Sequence, residues 1–436
     1  MDLGDACEVP APTYFPTHRR QMARIWYKGF TRLVVFKLTG EVFLNMKPQV
    51  NPYAPGAGRP PPELAGRDAI LAEARIAVQR NKLGRAARSF MFVGLRGVGK
   101  TVLLNEVRIM AEEEGFITEL IEVGTKHTHL SFTIIKILRA ALLRMDRSKR
   151  VSEQVKRGLR VLKSFIGAAK IKYGDIEFSI DVDEEIGVAD SGMLAQDLAE
   201  VFVAVGEAAK ARKTAIVILI DEIQNLPAEE FEALIMAVHR TNQRDLPIMI
   251  VGAGLPSLIK MASDAKSYAE RLFEYPKINS LDRKEARRAL VKPAIASKIK
   301  FENEAIEAII EHTKGYPYFL QEWGHQVWNV ATKSPITIAD VRKASNLAIK
   351  RLDQNFFLSR YERLSGPQKD YLRAMAELGP GPHKAADIAK AMKKTTRQIG
   401  STRDGLIVNG MIYSPRHGMS AFTVPMFDEF MKRARN

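Results

Sequence analysis

The sequence predicts an α/β fold, a parallel sheet with helices on both faces, followed by a helical segment and a small C-terminal domain. Three observations carry this expectation. The glycine-rich run Gly94-Leu95-Arg96-Gly97-Val98-Gly99-Lys100-Thr101 lies between a strand pattern, Ser89 to Val93, and a helical pattern, Val102 to Glu112. The apolar run Ala215 to Ile220 ends in Asp221-Glu222, as a central parallel strand buried on both faces does. From Asp282 to Leu352 the apolar spacing is that of successive helices.

At 436 residues the chain has room for two or three domains. No apolar run approaches the ~20 residues of a membrane span. A single cysteine, Cys7, excludes an internal disulfide framework and a cysteine-rich zinc site, which fits a reducing, cytoplasmic setting. Lys and Arg number 66 against 50 Asp and Glu, a net charge of +16. That surplus favours a polyanionic partner over a merely soluble basic surface.

Residues 1–50 are expected to form a basic extension, either disordered or read from a start assigned too far upstream, with Met46 as the alternative beginning. The Pro- and Gly-rich stretch Asn51 to Pro62 is an irregular connector. A helix follows Leu64-Ala65-Gly66-Arg67-Asp68, with Asp68 as its expected N-cap.

The run from Gly94 to Thr101 satisfies G-x-x-x-x-G-K-[ST] in the strand–loop–helix setting that this pattern requires. Glycines let backbone N–H groups curl around phosphates, and a helix N-terminus adds positive potential. Lys100 supplies a point charge, and Thr101 offers a hydroxyl to Mg²⁺. Nucleotide contacts are therefore expected from Gly94, Gly97, Val98, Gly99, Lys100, Thr101 and Val102. Phe116 to Val123 is the second strand and Leu130 to Met145 an amphipathic helix. A basic, polar stretch, Asp146 to Lys163, and an alternating segment, Ile171 to Val182, suggest an insertion near 146–190 ending in a hairpin or edge strand.

Asp221-Glu222 has the form of a Walker B pair. Asp221 is expected to hold the Mg²⁺ shell and Glu222 to activate the attacking water. The next strand, Pro247 to Val251, runs into Gly252-Ala253-Gly254 with no Asn, Ser or Thr at its end. Phe273 to Ile278 is a fifth strand. Helices are expected at 282–296, 302–313, 317–332 and 338–352, the last with Thr337 and Asp340 at its N-terminus and Trp323 and Trp328 in the core. From Gly366 three helices, 368–378, 385–392 and 396–409, precede two short strands around Arg416-His417-Gly418. That is the element order of a winged helix. Its third helix would read a major groove with Arg397 on guanine, Gln398 on adenine and Ser401 beside them. Lys393, Lys394 and Arg416 suit phosphates, and Lys432, Arg433 and Arg435 extend the basic surface.

From Asn51 to Lys432 this ordered set resembles the AAA+/STAND-type P-loop ATPases, in particular archaeal and bacterial initiator-like (origin-recognition-type) proteins. The phosphate loop and the Asp-Glu pair carry the resemblance most specifically. It implies an AAA+ core over 51–280, a helical lid over 281–360 and a winged helix over 361–436. It further implies that Gly66 and Arg67 line the base pocket, that Arg271 is a finger for a neighbouring subunit's nucleotide, and that Pro317 of Gly315-Tyr316-Pro317 lies against the nucleotide. Two departures stand out. The polar residue at the end of the fourth strand, sensor 1, is missing, which points to slow hydrolysis with Gln224 or a water in its place. The lid arginine, sensor 2, is also missing. The function so implied is an ATP- and Mg²⁺-dependent switch binding double-stranded DNA, with homo-oligomerisation an open question. The alternative is a signalling or defence switch whose partner is a protein.

Overall fold

The computed structural model describes residues 46–85, 87–124, 130–145, 152–168 and 182–434. Residues 1–45 of the expected extension, residues 171–181 of the alternating segment and Arg435 lie outside them.

Six strands form one parallel sheet: β1 (Ser89–Gly94), β2 (Ile117–Glu122), β3 (Ile216–Asp221), β4 (Ile248–Gly254), β5 (Phe273–Glu274) and β6 (Lys277–Ile278). Their order is β2-β3-β4-β1-β5, and β6 also pairs with β1, so the expected fifth strand is two short pieces. Register decides where the strand ends meet. Ile220 lies opposite Gly252, and Val93 lies opposite Gly254. The carboxyl ends of β1, β3 and β4 therefore come together at one edge, where an open α/β sheet places its ligands.

The helices of the core are α1 (Asp68–Lys82), α2 (Lys100–Glu113), α3 (Leu130–Met145), α4 (Glu153–Ala168), α5 (Leu194–Ala211), α6 (Ala228–Gln243), α7 (Ser257–Ala265) and α8 (Ala269–Leu272). Successive strand side chains point to opposite faces. Phe90 and Phe92 of β1 thus join α1 and α2 in one apolar cluster, while Met91 and Val93 join α3 to α6 in another.

Two local expectations are corrected, and two helices are added. The stretch from Asp146 to Lys163 is not simply polar, because α4 begins at Glu153 and buries Val155, Leu159, Leu162 and Phe165 at helical spacing. The Lys and Arg residues between them occupy its outer face. Helices α5 and α6, which the sequence reading passed over, pack on each other behind β3. At the start of α1 the cap position belongs to Arg67, and Asp68 is the first helical residue; its carboxylate receives a hydrogen bond from Arg288 Nη1 at 2.8 Å.

Four further helices follow, α9 (Arg283–Ala296), α10 (Asn303–Thr313), α11 (Pro317–Val330) and α12 (Ile338–Leu352). Asp282 caps α9, and Thr337 and Asp340 form a reciprocal capping box on α12. Trp323 and Trp328 are fully buried. Residues 46–53 are not a free leader but a strap across this bundle. Trp328 Nε1 donates to Lys47 O at 3.2 Å, Asn51 Nδ2 donates to His325 O at 3.0 Å, and Tyr53 Oη donates to Leu290 O at 2.5 Å.

Gly315, between α10 and α11, has φ +69, and a Cβ there would lie 2.1 Å from Leu281 O. Both the backbone and the space exclude a side chain. Gly315→Ala is expected to destabilise the fold on the order of 2–4 kcal/mol, read as a lowered denaturant midpoint.

Helix α12 runs on through a π-helical turn, Asp353–Phe357, into α13 (Leu358–Tyr361). The C-terminal domain comprises α14 (Gly366–Glu377), β7 (His383–Lys384), α15 (Ala385–Ala391), α16 (Thr396–Val408), β8 (Ile412–Tyr413), β9 (Met419–Phe422) and α17 (Phe427–Arg433). Its strands form an antiparallel sheet, β7-β9-β8, giving a winged-helix-like subdomain. Phe357 packs against Phe427 and Phe430, and Arg433 clasps Asp353 through two hydrogen bonds of 2.9 and 2.7 Å. Arg433 is therefore committed internally rather than extending a basic surface.

Candidate nucleotide-binding site

The loop from Gly94 to Thr101 is shaped by its neighbours. A Cβ on Gly94 would lie 2.3 Å from Ile278 O, so glycine is needed for the close approach of β6. Gly97 and Gly99 take positive φ, +83 and +97, turning the backbone into the N-terminus of α2. Gly97, Val98, Gly99, Lys100, Thr101 and Val102 all line a cleft of about 700 Å³. Gly94 stands behind it.

Lys100 is 6% exposed and donates from Nζ to Leu95 O at 2.9 Å. Burial holds its pKa below the usual lysine range, and Arg96 adds to this. The carboxylates of Glu222 and Asp221 pull the other way. Thr101 Oγ1 donates to Asp221 Oδ2 at 2.5 Å. The hydroxyl and carboxylate that suit a nucleotide-bound Mg²⁺ thus lie side by side. No cluster of three His, Cys, Asp or Glu occurs among the described residues. A two-group set of this kind fits Mg²⁺, which keeps several waters and takes its other ligands from phosphates.

Glu222 follows in a left-handed conformation, φ 52, uncommon for a residue with a side chain. Its backbone N–H donates to Asp221 Oδ1 at 2.9 Å, and its Oε2 accepts from Gln224 Nε2 at 2.6 Å. Gln224 Oε1 in turn accepts from Leu255 N, just past β4, at 3.0 Å. Gln224 therefore bridges the end of β4 to the Glu222 carboxylate, where the strand itself offers no polar side chain.

Arg67 and Gly66 are both tied into the scaffold around the loop. Arg67 is 7% exposed and donates from Nη2 to Asn279 O at 2.6 Å and to Val98 O at 3.2 Å, tying the phosphate loop to the turn after β6. It also touches the cleft. Gly66 has φ +67 and faces Leu281 and Glu285, outside the cleft lining. Pro317 lines the cleft at the first turn of α11. Arg271 is exposed on α8, lies outside the cleft lining and makes no ion pair among the described residues.

The helical bundle and the C-terminal domain both reach the loop. Tyr316 Oη donates to Arg96 O, and Tyr318 N donates to Gly97 O at 3.3 Å. Arg96 Nη1 donates to Asn409 O, at the end of α16, at 3.4 Å, and its Nη2 lies 3.9 Å from Glu222 Oε2. The sequence reading missed Arg96, Arg360 and Arg363, which all line the cleft. Arg360 and Arg363 come from the segment after α12, which carries no motif, so nothing in the chain order pointed to them.

At the C-terminal domain, Lys393, Lys394, Arg397, Gln398, Ser401 and Arg416 are all exposed. Arg397 and Ser401 share a face of α16 at i, i+4. Gln398 is engaged at the start of its own helix: its Oε1 accepts from Thr395 N at 2.9 Å and from Thr395 Oγ1 at 3.1 Å in a capping box, a contact that an adenine would have to displace. Arg403 is likewise internal, donating to Ser420 Oγ at 3.0 Å and to Met419 O at 2.9 Å.

Residues 63–251 match the family described as AAA ATPase domain, and residues 354–431 match a family described as a domain of unknown function. No curated protein matches the chain. Among solved structures, a Walker-type ATPase of Pyrococcus abyssi is 15% identical, with a TM-score of 0.53, over 85% of this chain and 96% of that one. The ORC2 protein of Aeropyrum pernix in its ADP form is 15% identical, with a TM-score of 0.49, over 90% and 99%. The RuvB Holliday junction branch migration motor of Thermotoga maritima is 16% identical, with a TM-score of 0.42, over 84% and 95%. At these identities the first likeness speaks to the fold alone. With the family match, residues 63–251 have the general character of an AAA ATPase domain, and hence of an ATP-binding one. Among the described residues no helix is long and apolar enough to cross a membrane.

Proposed function

We propose that this chain is a slowly hydrolysing, Mg²⁺-dependent ATPase whose nucleotide state sets the pose of its winged helix on duplex DNA. The observation that carries the reading is the position of Arg96. It sits within the phosphate loop, 3.9 Å from Glu222, and bonds the end of α16 at 3.4 Å. A phosphate drawn into the loop would compete for that guanidinium with both partners, which gives nucleotide a differential contact in two arrangements of the C-terminal domain.

In this reading Lys100 and the N–H groups of residues 97–102 hold the phosphates. Mg²⁺ brought with the nucleotide would be held by Thr101 and Asp221 and would neutralise phosphate charge. Glu222, oriented by Gln224, takes the proton of the attacking water. Arg271, exposed on α8, is available to a neighbouring subunit. We read 51–280 as the nucleotide core, 281–360 as the lid and 361–436 as the winged helix. Lys393, Lys394 and Arg416 are assigned to DNA phosphates, and Arg397 and Ser401 to base edges.

The test is duplex binding measured with ATP, with ADP and without nucleotide, across a salt series, for the wild type and Lys100→Ala. Binding is expected to depend on ATP, to fall steeply with salt and to lose its nucleotide dependence in the variant. Absence of duplex binding at low salt would remove DNA as the partner. The end of α16 is itself docked at the phosphate loop, and that contact supports a second reading, in which the winged helix is an internal element of a switch whose partner is a protein.

A further inference from the structure

The end of the helical bundle away from the cleft carries three lysines on a fixed backbone ledge. There the residues between α9 and α10 run beside those between α11 and α12. Lys300 N donates to Ser334 Oγ at 3.0 Å, Ile336 N donates to Lys300 O at 2.8 Å, and Glu302 N donates to Ile336 O at 2.9 Å. Ile299 and Ile336 are buried beneath the ledge, while Lys298, Lys300 and Lys333 are exposed on it. Lys298 closes α9 in a left-handed conformation, φ 60, uncommon for a residue with a side chain. Farther back on α9 the cations have acids. Arg283 and Arg287 pair with Glu307, and Arg288 and Lys292 pair with Glu63. The three lysines of the ledge make no ion pair among the described residues. Of the acids nearest in the chain, Asp340 is engaged by Thr337 in the capping box of α12, and Glu302, at the cap position of α10, pairs with none of them. Like charges gathered on one surface repel, and a polyanion relieves that repulsion.

We propose that this ledge binds the phosphate backbone of duplex DNA, as a second contact remote from the winged helix. The proposal rests on DNA being the partner of this chain. Helix α12 starts at the ledge and leads, through the turn at 353–357, to the C-terminal domain. Its 15 residues span about 22 Å, so the two contacts lie at opposite ends of that helix. Lysine is a compact, hydrated point charge on a flexible stem, suited to phosphate oxygens and unable to read a base from this distance. The ledge therefore supplies affinity without sequence preference. Each phosphate it neutralises releases condensed counterions, and that release is what a salt series measures.

The experiment titrates the full chain with two duplexes of unrelated sequence across a salt series. It compares the wild type, a triple variant Lys298→Gln, Lys300→Gln and Lys333→Gln, its counterpart with arginine at the same three positions, and a winged-helix variant Lys393→Gln, Lys394→Gln and Arg416→Gln. The glutamine ledge variant is expected to weaken both duplexes equally, roughly tenfold or more at low salt, and to flatten the slope of log K against log[salt] by about 2–3. The arginine variant keeps the charge and is expected to keep the wild-type slope. An unchanged slope and affinity in the glutamine ledge variant, while the winged-helix variant weakens binding, overturns the proposal and leaves DNA as the partner. Equal losses in the glutamine and arginine ledge variants overturn it too, since charge is then not what the ledge supplies. If the wild type binds neither duplex at low salt, DNA is not the partner, and the reading beneath the proposal falls with it.

Discussion

Glu222→Gln is expected to lower steady-state phosphate release by roughly 10²–10⁴-fold while ATP affinity stays within about twofold. The substitution keeps the size and shape of the side chain, so the left-handed turn at φ 52 and the neighbouring Asp221 have no reason to move. What it removes is the carboxylate that the proposed role requires as proton acceptor. The carboxylate is held by a 2.6 Å hydrogen bond from Gln224, whose other end is anchored at Leu255 N. That anchoring is what a general base requires, since geometry precedes pKa in deciding whether it can act. A glutamine at position 222 would trap nucleotide without turning it over. Unchanged phosphate release in this variant would show that Glu222 is not the base.

Lys100→Ala is expected to weaken ATP binding on the order of 10–150-fold, the worth of one hydrogen-bonded charge on an anion. Titration with ATP, monitored alongside thermal unfolding, separates this from misfolding. The fold itself should tolerate the change. Lys100 is buried, which holds its pKa below the usual lysine range, and its hydrogen bond is to a backbone carbonyl of the glycine-rich loop, Leu95 O. Removing a desolvated cation relieves the cost of its burial, which offsets much of the lost packing. A variant that melts near the wild type and binds ATP equally well would overturn the assignment of Lys100.

Much of the architecture was legible because periodicity and caps are local signals. The strands at Ser89 and Ile216, the four helices of the bundle and the Thr337–Asp340 box all fall where spacing put them. Helix α4 was not legible. Its Val155, Leu159, Leu162 and Phe165 are outnumbered by intervening charged and polar residues, and only the apolar cluster they join shows which face counts. Gln398 illustrates the converse. Its side-chain type suits adenine, but whether its oxygen is free depends on Thr395, and the cap engages it.

By itself, the sequence determined the glycine-rich loop between β1 and α2, the Asp221-Glu222 pair at the end of a buried strand and the three-helix-plus-hairpin order of the C-terminal domain. Each is a contiguous pattern whose meaning does not depend on distant residues. Only the tertiary structure decided which groups converge on the cleft. Thr101 meets Asp221 across 120 positions, Gln224 stands in for an absent polar residue at the end of β4, and Arg96 reaches Asn409 across 313. Arg360 enters from a segment with no motif at all. The physical reason is that the register of the sheet and the docking of helices, set by burial summed over the whole core, bring such groups together, and no local spacing encodes that sum.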